Sequence, residues 1–331
     1  MKYYAKLLNE ISRFSQYGCK DAEQTEKSCV GGKSAVPAEK NPDRLTNRGT
    51  GRNFKREGTK NVAGETRRGR IEALLRRALR NNGFEVYYQP LYTVCDGKFT
   101  EAEALLRLRN ETGGFIPPDE FIPVAEESGM IAEIGAMVLD KVCKYIRYLL
   151  SCRIDVDSIS VNLSAMQLMP DDAVGRILGI IRRNGVSPNR ILLEITESTL
   201  ICNFEPVAEK IRKLSDAGIQ FALDDFGTGY SNIANVIDLP FDVVKIDKSL
   251  IWDSAVNVRC RQMVRSLAGA FRGINLTVTA EGVETAEHAA FARLCRCDKI
   301  QGFLYAKPMP VSRAADFFGR AAGAPCTYGP L

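Results

Sequence analysis

The run IQFALDDFGTGYSNIANVIDLPFDVVKID, residues 219–247, sets the terms for the rest of the chain. It holds two apolar stretches that read as strands, IQFALDD (219–225) and DVVKID (242–247). Each ends on charge: Asp224 and Asp225 follow Leu223, and Lys245 and Asp247 follow Val244. A charged side chain on a strand that feeds a buried core costs on the order of several kcal/mol unless it is paired or bound to a metal. The same pattern repeats outward. Upstream lie Phe84 to Tyr88, EAEALLRLR (101–109), SISVNLS (158–164) and RILLEIT (190–196); downstream lie LTVTAEG (276–282) and DKIQGFLY (298–305). Helical spacing fills the gaps, as in AEIGAMVLDKVCKYIRYLL (132–150) and EPVAEKIRKLSDAG (205–218). Strands alternating with helices predict parallel pairing through crossover helices. Eight strand candidates over residues 82–315 predict an α/β fold, a (β/α)8 barrel of the TIM type.

A barrel places its chemistry at the C-terminal ends of its strands. Seven candidates deliver a polar residue there or close by. Asn162 follows Val161, Glu194 follows Leu193, and Asp224 and Asp225 close the next strand. Lys245 and Asp247 come after Val244, Glu281 and then Glu284 after Ala280, and Gln301 after Ile300. Glu103 sits early in the second strand. Carboxylates gathered on one rim repel one another strongly in a low-dielectric site, and divalent cations are the simplest remedy. The chain has one histidine, His288, inside the helical pattern TAEHAAFARL, where it reads as a surface residue. Histidine triads and multi-histidine metal centres are thereby excluded. Carboxylate and amide ligands favour hard ions, Mg2+ or Mn2+. Adjacent acids such as Asp224 and Asp225 suit a pair of ions roughly 3.5–4 Å apart, the arrangement used to cleave phosphodiesters.

The net charge of +5 is unevenly spread. Residues 1–80 carry 19 Lys and Arg against 9 Asp and Glu; the rest carries 26 against 31. Residues 1–70 read as a basic, poorly ordered arm, a solvated linker rather than a nucleic-acid binder. Residues 71–81 read as a lead-in helix, with Ile71, Leu74, Leu75, Ala78 and Leu79 on one stripe and Gly83 ending it. Residues 316–331 read as a tail. No apolar run approaches the ~18 residues needed to cross a bilayer, and the N-terminus is too polar for a signal peptide, so a cytoplasmic location is expected. Ten cysteines without paired spacing suggest reduced thiols; Cys295 and Cys297, the one close pair, read as buried bystanders.

Eight blocks carry a resemblance. They are EALLRLR (103–109), FIPVAEESGMI (121–131), VNLSAMQL (161–168), LLEITESTL (192–200), ALDDFGTGYSN (222–232), LPFDVVKIDKSLI (239–251), TAEGVET (279–285) and CDKIQGFLYAKPMP (297–310). In this order they resemble the signature blocks of EAL-domain cyclic di-GMP phosphodiesterases. The resemblance implies a modified barrel whose first strand runs antiparallel to the others. It implies that Glu103, Asn162, Glu194 and Asp224 hold one metal, and that Asp224, Asp225 and Glu281 surround a second. Lys245 would orient or deprotonate the attacking water, and as an ammonium in a cationic site it is expected to have a depressed pKa. Glu197 would brace the loop 226–231, which the resemblance links to homodimer contacts through an adjacent helix. Gln89, Arg107, Gln301 and Asp247 match positions around the substrate and Pro308 a guanine-side element, and Glu284 is counted with Lys245, Glu103 and Glu197 among the catalytic residues. The implied reaction is in-line attack of an activated water on one phosphodiester, opening cyclic di-GMP to linear pGpG and so lowering a bacterial second messenger. A catalytically weak receptor for the same dinucleotide, or a protein-interaction module, is the alternative. The chain departs from the family where Leu108 replaces tryptophan, Arg109-Asn110 replaces His-Pro, and Arg296 replaces a frequent glycine.

Other signals are decoys. Glu72-Ala73-Leu74 precedes YYQP in a basic helix, the wrong place for the signature. The GTG at 227–229 lacks the third glycine of a dinucleotide-binding turn, since position 232 is Asn232. Asn162-Leu163-Ser164 spells a glycosylation sequon without a secretion signal to support it.

Overall fold

The computed structural model describes residues 66–196, 204–228 and 237–321. Among the described residues ten strands form one sheet: β1 (Phe84–Thr93), β2 (Glu101–Arg109), β3 (Phe115–Ile116), β4 (Ser158–Asn162), β5 (Ile191–Thr196), β6 (Gln220–Phe226), β7 (Val243–Ile246), β8 (Thr277–Ala280), β9 (Lys299–Ile300) and β10 (Met309–Pro310). Strands β2, β4, β5, β6, β7, β8 and β9 run parallel in that order. β1 pairs antiparallel with both β2 and β9 and closes the ring. The result is an eight-stranded barrel with a reversed first strand, as the resemblance implied. β3 and β10 are short additions outside the ring, on β2 and β1.

The helices lie outside: α1 (Arg67–Arg80), α2 (Pro118–Glu127), α3 (Ile131–Ser151), α4 (Ala165–Leu168), α5 (Ala173–Arg183), α6 (Phe204–Asp216), α7 (Lys248–Val256), α8 (Val258–Gly273), α9 (Ala286–Leu294) and α10 (Val311–Ala321). None of them is long and apolar enough to cross a membrane. The strands bury near-continuous apolar runs, as barrel strands covered on both faces must. β5 is buried from Ile191 to Ile195, including Glu194, and β7 is buried throughout, including Lys245.

Several elements differ from the sequence reading. α10 takes in residues 316–321 of the expected tail and buries Phe318, and β9 keeps only Lys299–Ile300 of the strand expected over 298–305. α1 starts at Arg67, four residues before Ile71, where the apolar stripe begins. Its first turn is held by polar groups: the Thr66 hydroxyl accepts from Gly69 N, and Arg67 and Arg68 pair with Glu120 and Glu127 of α2. β1 continues past Tyr88 and through Pro90 to Thr93, pairing Pro90 with Ala102 and Tyr92 with Ile300. A proline lacks the donor that a mid-strand residue supplies, so the sequence reads as a stop where the strand goes on.

Arg296, the departure from glycine, sits in a demanding position. α9 ends in a Schellman turn: Cys297 N donates to Ala292 O at 3.0 Å and Arg296 N donates to Arg293 O at 2.9 Å. Arg296 therefore has φ 56°, the left-handed region in which Cβ crowds the backbone. Arg296→Gly removes that conflict, worth about 1 kcal/mol, while part of the gain is returned by the freer unfolded glycine. The melting temperature is expected to rise by about 1–3 °C. A fall would show that the arginine side chain outweighs the backbone cost.

Cys295 and Cys297 beside this turn are buried free thiols. Burial pushes the Cys295 thiol up to about 12 and the Cys297 thiol higher still, so neither is a reactive thiolate at neutral pH.

Candidate active site

Lys245 points into the barrel mouth from β7 and is the hub of the site. Its Nζ lies 2.7 Å from Glu281 Oε1, 3.0 Å from Glu194 Oε2, 3.0 Å from Asp224 Oδ1 and 3.7 Å from Glu103 Oε2. These carboxylates come from β2, β5, β6 and the turn after β8. An ammonium has three protons, so four carboxylates cannot all be satisfied by it. Glu194 Oε2 and Asp224 Oδ1 are buried and accept no hydrogen bond of good geometry, although both face the ammonium.

Asp225 joins the cluster through a backbone irregularity. Neighbours on a regular strand point to opposite faces. Here the β6–β7 register shifts between Leu223 and Phe226: Leu223 pairs with Val244 and Phe226 with Ile246, so Asp224 and Asp225 together oppose Lys245 alone. This is a bulge, a device that re-aims side chains beside functional sites. Asp225 takes φ 55°, a conformation that aspartate tolerates better than most residues. Carboxylate oxygens of Asp224, Asp225 and Glu281 consequently lie within 4.8 Å of one another.

A chain of amides fixes Glu103. Asn162 Nδ2 donates to its Oε1 at 2.9 Å, and Gln301 Nε2 donates to its Oε2 at 2.6 Å. Gln301 also donates to Gln89 Oε1 at 3.2 Å, and Gln89 Nε2 donates to Ala306 O at 3.0 Å. Gln89 and Glu103 are direct partners across β1 and β2, and Asn162 and Glu194 across β4 and β5. By donating through nitrogen, Asn162 keeps its amide oxygen, the atom a hard cation prefers.

The electrostatics follow from crowding. Burial, with Asp224 as the foremost neighbouring charge, pushes Asp225 up to about 6. Burial likewise raises Glu281 to about 8 against the pull of Lys245, and holds Glu194 well above the carboxylate range. Burial also works on Glu103, but Lys245 and the hydrogen bonds from Gln301 and Asn162 outweigh it and leave that carboxyl below its ordinary value. The sequence reading expects a depressed pKa for Lys245 in a cationic site. Among the chain's own groups the direction is the reverse: burial pulls the ammonium down, but Asp224, Glu103, Glu194 and Glu281 hold it well above the ordinary lysine value. The expectation counted metal charge and left out how closely the carboxylates approach.

The donor set fits divalent cations. Four carboxylates surround one ammonium, Asp225 lies beside two of them, at least two buried oxygens lack a hydrogen-bond donor, and every ligand atom is oxygen. Hard ions with oxygen coordination answer each of these conditions.

Most residues singled out from the sequence meet at one open cleft. Gln89, Glu103, Asp224, Asp225, Lys245, Asp247, Glu281, Glu284 and Gln301 line it. Glu194 lies beneath Lys245, and Asn162 braces Glu103 from the side. Asp247 has a further role, capping α7 by accepting from Ser249 N at 2.8 Å. Arg107 and Pro308 are not among the lining residues. Arg107 shares the Glu103 face of β2 four residues on, donates to Leu106 O and lies 5.6 Å from the Tyr87 ring. Pro308 leads into β10. Glu197 and residues 229–236, with the second half of the loop expected to reach a dimer contact, fall outside the described residues. His288 is half-buried, its Nδ1 accepting from Glu284 N at 3.4 Å. Five cleft residues escaped the sequence reading: Lys248, Trp252, Gly282, Gly302 and Phe303. The first two could have been found, because they stand four apart at the start of the helix that follows a rim strand.

Together the ring and its contents define a (β/α)8 barrel carrying a carboxylate-and-lysine centre at the C-terminal ends of its parallel strands. The chain belongs to the EAL domain family, which it matches over residues 72–308. It is 34% identical over 247 residues to the Cyclic di-GMP phosphodiesterase NbdA of Pseudomonas aeruginosa, covering 75% of this chain and 32% of that protein. It is 37% identical over 271 residues to an uncharacterized signaling protein of Caulobacter vibrioides, covering 80% of this chain and 32% of that one. The chain thus spans about a third of the length of these relatives. Among solved structures, the PaMucR phosphodiesterase in complex with c-di-GMP superposes with a TM-score of 0.69 at 34% identity, over 74% of this chain and 99% of that one.

Proposed function

We propose that this protein hydrolyses cyclic di-GMP to linear pGpG with two divalent cations, Mg2+ or Mn2+, in the cleft. The observation that carries the reading is the arrangement around Lys245: acids from three strands and the turn after β8 converge on a single lysine at an open mouth, with Asp225 brought alongside by the β6 bulge. The phosphodiesterase relatives, and the c-di-GMP complex of the structural neighbour, supply the substrate class.

In this reading Glu103, Asn162, Glu194 and Asp224 hold one ion, and Asp224, Asp225 and Glu281 the other. Bound there, the ions would supply positive charge for the phosphoryl oxygens and lower the pKa of the attacking water. Lys245 holds a proton and a positive charge beside that water. Gln301 and Asn162 keep the Glu103 carboxylate in place. Gln89, Asp247 and Glu284 face the substrate, with Arg107 and Pro308 reaching it from farther along the rim. The test is direct: purified protein with cyclic di-GMP and Mg2+ or Mn2+ is expected to yield pGpG. Binding without product would leave a receptor, and neither binding nor product would refute the reading.

Glu197 is proposed to brace the loop 226–231, through which a homodimer contact would reach Asp225. Glu197→Ala is then expected to lower turnover clearly, with a change in thermal stability of no more than about 1 kcal/mol. Normal turnover together with reduced stability would instead make Glu197 a helix cap.

A further inference from the structure

The chain has a single tryptophan, and it stands in the wall of the cleft. Trp252 lies on α7, one turn past Lys248, and the residue is 41% exposed although its ring is large and apolar. Scattered exposed apolar residues are ordinary on a protein surface. Trp252 is held by a hydrogen bond as well as by packing. Its Nε1–H donates to Gly282 O at 2.7 Å, directly after Glu281. Gly282 takes φ 61°, and a Cβ there would collide with Lys248, so the turn after β8 is seated tightly on the start of α7. Lys248 Nζ lies 5.9 Å from the indole centroid. A rigid aromatic face, a cation beside it and a carboxylate centre at its foot thus share one cleft.

We propose that Trp252 is a stacking platform for one base of the bound cyclic dinucleotide, with Lys248 placing positive charge towards the adjoining phosphodiester. The proposal rests on the functional reading above and adds a recognition residue to it. Stacking tolerates any base, because every base has a π-face, and its strength comes from a ring that loses little freedom on binding. The indole is already immobilised by its bond to Gly282, so base contact adds little ordering cost. The competing account is that Trp252 only clamps α7 to the Glu281 turn.

Two measurements separate these accounts. In the full chain with Ca2+, where turnover is expected to be poor, titration with cyclic di-GMP is expected to quench the fluorescence of the sole tryptophan. The quench should saturate at the Kd found by calorimetry. In steady-state assays with Mg2+, Trp252→Ala is expected to raise KM on the order of ten- to a hundredfold with kcat within a few fold. Trp252→Phe keeps a ring and loses the N–H, so stacking predicts near-normal KM, whereas a clamp predicts a defect as large as that of alanine. Unchanged fluorescence on saturating binding, or equal defects in the two variants, overturns the proposal and leaves the phosphodiesterase reading intact. Quenching without hydrolysis keeps the platform and removes the enzyme. A protein that neither binds nor cleaves removes both.

Discussion

Lys245→Ala is expected to lower turnover of cyclic di-GMP by a hundredfold or more, the order seen when a positioned acid–base or electrostatic group is removed. Substrate should still bind. The argument rests on distance and burial. Lys245 is one of the most enclosed charged side chains at the mouth, and four carboxylates from four elements lie within 4 Å of its nitrogen. In that company it is held as an ammonium, so in the proposed reaction it would serve as a fixed positive charge and proton donor beside the phosphodiester. Truncation also strips the counter-charge from buried acids, a change that commonly costs about 3–5 kcal/mol. The melting temperature of the variant without metal should therefore fall, and Mg2+ should restore much of it. Turnover measured in saturating Mg2+ on a folded sample separates the chemical role from the structural one. Near-normal turnover there would rule out an essential part for Lys245.

Removal of divalent metal is expected to abolish activity, and Mg2+ or Mn2+ to restore it. Ca2+ should restore it poorly, because its longer and looser coordination misplaces the water and the phosphate. The same ions should stabilise the fold. The carboxylates converge without enough donors, so the cluster is under repulsive stress that cations relieve. A site filled at about a hundred times its Kd gains roughly 2.7 kcal/mol, which for a barrel of this size raises the melting temperature by about 5–10 °C. The thermal shift needs no substrate and reads metal binding alone. Full turnover in excess chelator, or a melting temperature indifferent to Mg2+, would sink the two-metal account.

Much of this architecture is legible in the sequence because barrel strands advertise themselves twice. Apolar runs such as Leu192–Leu193 and Val243–Val244 mark the buried ring, and Glu194 and Lys245 break those runs where the ring opens. What stayed hidden is local geometry. Nothing in the letters of Asp224-Asp225 reveals the bulge that turns both onto one face; a regular strand would have sent one of them away. The first turn of α1 is held by Thr66, Arg67 and Arg68, polar groups without a period. Trp252 belongs to no motif or period in the sequence; its place is set by a hydrogen bond to a distant turn. The direction of the Lys245 pKa depends on approach distances that no spacing in the sequence encodes.

The reversed β1 has a consequence for polarity. Phe84 pairs with Leu108, at the end of β2 that opens onto the mouth, and Leu91 pairs with Glu101 at the opposite pole. In a barrel with every strand parallel, the chain enters at the pole away from the chemistry. Here α1 hands the chain to β1 on the reaction side, and four residues separate Phe84 from Gln89 at the heart of the amide relay. The entrance of the polypeptide and the entrance of the substrate therefore share a hemisphere. Any mechanical load borne by α1 has one short strand to travel before it reaches the residues that steady Glu103.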